Sequence, residues 1–188
     1  MNFLKNILVF LIIISTFSPV YAGGSIQGPT LGRISSQFGY RSDPFTGYSK
    51  LHKGLDIAGP AGSPIFAMQE GVVAYSGVYK GYGNAVIIDH FFYNVPELPN
   101  LRIIYGHNRE NIVRTGDYVV RGQVLARMGS TGHSTGPHLH FEVIYKGQSI
   151  NPIEYLQKLP SYLAYADNVR KSRNYVADRN QYNGKGGG

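Results

Sequence analysis

A series of short apolar runs, each closed by a turn signal, constrains this chain most. The runs fall at 64–67 (PIFA), 71–75 (GVVAY), 85–89 (AVIID), 101–105 (LRIIY), 118–120 (YVV), 124–126 (VLA) and 139–145 (LHFEVIY). Gly, Asn, Asp and Pro punctuate the gaps, as in Gly81-Tyr82-Gly83-Asn84. Runs of this length are too short for helices, and their spacing is that of a meandering sheet. Composition agrees: 24 Gly supply tight turns and 15 Tyr favour strands. The expected fold is mainly β, an antiparallel sandwich or barrel-like sheet. Helix-compatible stretches at 153–173 add a short C-terminal helix. Order is expected to begin at 31–40, with 41–50 (RSDPFTGYSK) as a loop and 91–100 (FFYNVPELPN), with its two prolines, as a protruding one.

The first 22 residues read as an export signal. Lys5 supplies a positive start, 7–17 is apolar over the length of a signal core, and Val20-Tyr21-Ala22 offers small residues before a cleavage point. The expected organisation is therefore a signal peptide at 1–22, a flexible lead at 23–30, one functional domain at 31–160 and a basic tail at 161–188, helical in part and then disordered. The protein is expected to be exported, to the periplasm or to the cell wall outside, with no stable membrane insertion after cleavage. Cys is absent, so neither a disulfide nor a lipidated Cys is available. Net charge is +7, and the only charge a cleaved signal would remove is Lys5. A cationic exported chain suits an anionic envelope partner. Nucleic acid is not expected, since no recognisable motif for it is present and export conflicts with it.

Six His stand at 52, 90, 107, 133, 138 and 140. In 137–143 (PHLHFEV) polar and apolar residues alternate strictly. As a strand, this segment puts His138, His140 and Glu142 on one face and Leu139, Phe141 and Val143 on the core face. His52 and Asp56 lie four apart, and in one extended segment both would reach a metal from the same side. Each pair alone has an ordinary explanation, a surface pair in a Gly-rich turn or polar residues on a wet strand face. Together they meet the requirement of a catalytic zinc for about three N/O ligands and an open position. His52, Asp56 and one His of the His-x-His pair complete that set, leaving the other for acid–base or oxyanion work. His90 is expected to pack locally and His133 to neighbour a substrate. Glu142 is expected either to orient a ligand or simply to meet solvent. Asn84 reads as a turn residue, and Tyr105 as either a substrate contact or packing.

The motifs His52-Lys53-Gly54-Leu55-Asp56 and 134–142 (STGPHLHFE), with Gly81-Tyr82-Gly83-Asn84, Tyr105-Gly106-His107 and the turns Gly116-Asp117 and Gly122-Gln123 between them, resemble the lysostaphin-like zinc endopeptidases of bacterial cell walls. The resemblance runs from about residue 32 to 155 and implies a compact antiparallel fold with a groove over a metal site. It implies that His52, Asp56 and His140 bind one Zn2+ per chain and that His107 and His138 are catalytic. It implies hydrolysis of peptidoglycan peptides, with a non-catalytic member that binds the wall or activates another hydrolase as the alternative. A monomer is expected. The expected bond is a cross-link ending on a diamino acid, with a glycine bridge as the other choice.

Overall fold

The computed structural model describes residues 28–91 and 100–183. The expected signal peptide, most of the lead, the 92–99 part of the protruding loop and the last five residues lie outside the described residues. Twelve strands are described: β1 (Arg33–Ser36), β2 (Gly39–Ser42), β3 (Ser49–His52), β4 (Leu55–Ala58), β5 (Pro64–Phe66), β6 (Gly71–Val78), β7 (Asn84–His90), β8 (Leu101–Asn111), β9 (Tyr118–Val119), β10 (Val124–Met128), β11 (His138–Tyr145) and β12 (Gln148–Ile150). One long helix follows, α1 (Pro152–Asn183). The architecture is mainly β and antiparallel, as expected.

Ten strands form one sheet with the order β1-β4-β11-β8-β7-β6-β9. β12 pairs with β11, and β10 bridges β8 and β5. β8 organises this arrangement. Its first half pairs with β11 up to Gly106, and from Asn108 onward it pairs with β10. The sheet therefore branches at 106–108, next to the functional residues. Leu139, Phe141 and Val143 are fully buried, as the alternation predicts, and join Ile103, Tyr105, Leu125 and Met128 in one core. Burying each such side chain contributes about 1.5–3 kcal/mol.

β2 and β3 form a separate hairpin where a loop was expected at 41–50. Asp43 builds its turn: Oδ1 accepts from the backbone N–H of Phe45 and of Thr46, both at 3.0 Å. Those hydrogen bonds lower its pKa to about 2. The end of the expected flexible lead is also pinned, since Thr30 Oγ1 donates to Pro64 O at 2.9 Å.

The helix is 32 residues long, not short, and runs unbroken through residue 160. Asn151 Oδ1 caps its start by accepting from Ile153 N–H, and Pro152 occupies the first helical position. Tyr155, Leu159 and Ala166 enter the core, Tyr155 Oη donates to Gln69 Oε1, and Arg170 pairs with Glu70. Pro160 reads as a stop in sequence, yet here the packed face carries the helix past it. No helix among the described residues is long and apolar enough to cross a membrane.

Candidate metal centre and its groove

β4 and β11 are antiparallel neighbours, and their register sets Asp56 directly opposite His140. His52 ends β3, in the other sheet, and reaches the same point across the Lys53-Gly54 turn. His52 and Asp56 therefore do not share one extended segment, as the sequence suggested. They converge because the chain changes sheets between them. His52 Nε2 lies 3.1 Å from Asp56 Oδ1 and 3.2 Å from His140 Nδ1, and His140 Nδ1 lies 2.9 Å from Asp56 Oδ1. All three residues are buried.

Gly54 makes this convergence possible. A Cβ at that position would stand 2.7 Å from the His140 ring and 2.9 Å from Phe141 O. The nitrogens that could hold a metal are also pre-oriented. His52 Nδ1–H donates to Gln37 O at 2.7 Å, which leaves Nε2 for the centre. His140 turns Nδ1 inward, and its Nε2 faces Glu142 Oε2 at 3.5 Å. That nitrogen is buried without a hydrogen-bond partner among the described residues. Glu142 is itself held, accepting from Tyr82 O–H at 2.6 Å and from Ser149 O–H at 2.7 Å. Burial opposes ionisation of Asp56 and Glu142, but hydrogen bonds from their neighbours outweigh it and keep both pKa values low. Burial likewise opposes charge on His140, and the Asp56 and Glu142 carboxylates reverse that effect and raise its pKa.

His107 and His138 stand together beside this cluster, with ring centroids 4.7 Å apart. His138 comes from β11 by simple alternation. His107 does not: strict alternation along β8 would put it on the Tyr105 side. Its φ of 62° lies in the left-handed region, rare for a residue with a Cβ, and turns it instead toward the groove. His107 Nδ1–H donates to Thr131 O at 2.7 Å and His138 Nδ1–H to Gly136 O at 2.8 Å. Each is left with Nε2 for the groove. Burial lowers the pKa of His107 to about 4, so it is neutral near pH 7. His138 Nε2 lies 3.6 Å from Asp56 Oδ1.

An open groove of about 490 Å3 runs over the cluster. The β2–β3 hairpin walls one side, including Arg41, whose guanidinium lies 3.5 Å from Asp56 Oδ2. Arg41 and Ser149 were not singled out in the sequence. Arg41 falls inside the segment read as a loop, and Ser149 carries no local signal. Tyr82 was visible only as part of a Gly-rich turn. His133 lines the groove with Phe45, their ring centroids 3.5 Å apart. Tyr105 is fully buried and faces away, accepting from Met68 N–H and hydrogen-bonded to His90 Nε2. His90 packs locally, as expected. Asn84 opens β7, its backbone N–H donating to Thr131 Oγ1.

The antiparallel sheet has its structural neighbours among the lysostaphin-like peptidases. The catalytic domain of lysostaphin from Staphylococcus simulans superposes with a TM-score of 0.59 at 27% identity, over 67% of this chain and 92% of that one. A zinc-containing peptidase from Vibrio cholerae gives 0.58 at 32% identity, over 66% of this chain and 38% of that one. Residues 50–152 match the model of Peptidase family M23, and the chain belongs to that family. It is 39% identical over 145 residues to DD-carboxypeptidase/endopeptidase Mpg of Neisseria meningitidis, covering 77% of this chain and 32% of that protein. It is 42% identical over 129 residues to murein hydrolase activator NlpD of Escherichia coli, covering 68% of this chain and 30% of that protein. The chain thus spans about a third of the length of these relatives.

Proposed function

We propose that the protein is a zinc-dependent endopeptidase that hydrolyses peptide bonds of peptidoglycan, with His52, Asp56 and His140 as ligands of one Zn2+. The observation that carries this reading is the complete set: three converging ligand atoms with two unengaged imidazole nitrogens beside them. The donor separations of 2.9–3.2 Å suit the ion, since tetrahedral bonds of ~2.0–2.1 Å put donors roughly 3.3 Å apart. Two neutral nitrogens and one carboxylate, without Cys, are a donor set of hydrolytic zinc sites. When bound, the ion supplies a Lewis acid that polarises a carbonyl and acidifies water.

The chain's own residues do the rest. His107, kept neutral by burial, offers Nε2 as the base that takes a proton from the attacking water. His138 holds Nε2 beside Asp56. With Nδ1–H given to Gly136 O, Nε2 faces the groove as an acceptor, and it donates to the oxyanion developing on the scissile carbonyl only once it has itself taken up a proton. The backbone carbonyls of Thr131 and Gly136 fix both tautomers. Asp56 would balance one unit of a bound ion's charge, leaving net positive charge to favour the oxyanion.

The function belongs to residues 31–160, exported behind the segment 1–22. The cross-link ending on a diamino acid is the first choice of substrate. The activator reading draws on the likeness to NlpD, but an activator needs no intact ligand set. The test is digestion of purified sacculi by the zinc-loaded protein, with released peptides identified by mass spectrometry. Release that needs zinc and disappears in His140→Ala supports the enzyme. Sacculus binding with no release, or stimulation of a second hydrolase alone, overturns it.

A further inference from the structure

Arg41 is placed in a way the proposed chemistry does not account for. It sits in β2 directly across from Lys50 of β3. Like charges opposite one another cost stability in a two-stranded ribbon. Lys50 relieves this by turning to Asp43, 3.4 Å away. Arg41 turns the other way, into the groove, with about a third of its side chain exposed. Among the described residues its acidic contact there is Asp56 Oδ2 at 3.5 Å, too long for a good charge-assisted hydrogen bond. Its Nε is buried without a hydrogen-bond partner among the described residues. A guanidinium carries five N–H donors in a fork that matches a carboxylate. Asp56 does not fill that fork, because its Oδ1 belongs to the two ligand histidines.

The other acidic side chains lining the groove are also engaged. Asp43 is held by its own turn and Lys50, and Glu142 by Tyr82 and Ser149. Lys53 adds a further, exposed cation. The groove therefore has matched anions and a surplus of cation next to the metal ligands.

We infer that Arg41 binds a carboxylate of the substrate, so that the groove selects peptides carrying a free carboxylate beside the scissile bond. This rests on the peptidase reading and sharpens it: a diamino-acid cross-link carries such a group, and an internal glycine bridge does not. Arg41 is within one side-chain contact of Asp56, so the bound carboxylate and the attacked carbonyl are neighbours along the peptide.

The test uses the zinc-loaded protein and three synthetic peptides of equal length. One carries a free carboxylate on the diamino acid next to the cleaved bond, the second has that group as a carboxamide, and the third has the carboxylate at a chain end instead. The wild-type protein should prefer a carboxylate peptide over the carboxamide by about 10- to 100-fold in kcat/KM, the range of a charge-assisted hydrogen bond. R41Q should lose that preference, mainly through KM on the carboxylate peptide, and keep one zinc. R41K should fall between. An advantage of the first peptide that R41Q removes supports the inference; an advantage confined to the chain-end carboxylate overturns it. Equal cleavage of all three by the wild-type protein overturns the inference. So does an R41Q protein that slows every peptide alike or loses zinc, since Arg41 would then only hold Asp56. Binding of the same peptides, followed by calorimetry, separates the two readings: a carboxylate preference that R41Q abolishes, in a protein that cleaves none of them, sinks the peptidase and keeps the anion site.

Discussion

His140 Nδ1 lies 2.9 Å from Asp56 Oδ1, and the two residues face each other across the β4–β11 pair. One pair of candidate ligands is thus set by strand register, the most rigid constraint a sheet offers. The third candidate ligand, His52, and the two groove histidines are brought in by less regular backbone, and they are where substitution is most informative.

His107→Ala and His138→Ala are each expected to retain one zinc and lose turnover by at least about 100-fold, the lower range for a positioned acid or base. Metal content by mass spectrometry beside sacculus digestion checks this. Loss of zinc in His138→Ala would move that residue into the ligand set, a move its 3.6 Å separation from Asp56 makes specific.

Glu142→Gln should weaken zinc binding by about 10- to 100-fold, the usual effect of removing a carboxylate behind a ligand histidine. Glu142 is nearly inaccessible and its Oε2 faces His140 Nε2. Competition against a chelator of known affinity reads the change. An unaltered affinity would mean that Glu142 serves only Tyr82 and Ser149.

Gly54→Ala should displace the His140 ring, because the added Cβ would come within 2.7 Å of it. The expected result is a folded protein with sharply reduced zinc occupancy, seen as a thermal midpoint that no longer rises when zinc is added. A wild-type response to zinc would show that the turn can yield.

The buried His90 predicts a pH dependence away from the metal centre. Burial lowers its pKa from 6.5 to about 4, although Glu70 O accepts from its Nδ1–H. As pH falls below about 6.5 the unfolded chain takes up a proton that the folded chain refuses. Stability therefore declines from there to about pH 4 and then levels off, a loss on the order of 3 kcal/mol from this group. Urea denaturation of wild type and His90→Gln between pH 4 and 7 isolates it: the difference between the two curves should slope across that window. Parallel curves would show that His90 does not titrate differently in the two states.

Much of the fold was legible because a strand buried on one face writes its own alternation. Leu139, Phe141 and Val143 against His138, His140 and Glu142 is the clearest case, and all three apolar members are fully buried. The β2–β3 hairpin was hidden because only His52 of its strand residues is buried, so it lacks that apolar contrast. The length of α1 was hidden because its sequence is polar and interrupted by Pro160, while the contacts that sustain it come from Gln69, Glu70 and the sheet core.

The same division runs through the site. Residue types and local alternation determined which side chains could serve a metal, since donor chemistry and the two-residue period of a strand are properties of the chain itself. Tertiary structure alone decided that His52 meets Asp56 from another sheet, that a left-handed backbone at His107 turns it away from Tyr105, and that Arg41 reaches the ligands. Each of these depends on where two distant segments lie relative to one another. That is set by the packing of the whole sheet, and no local pattern encodes it.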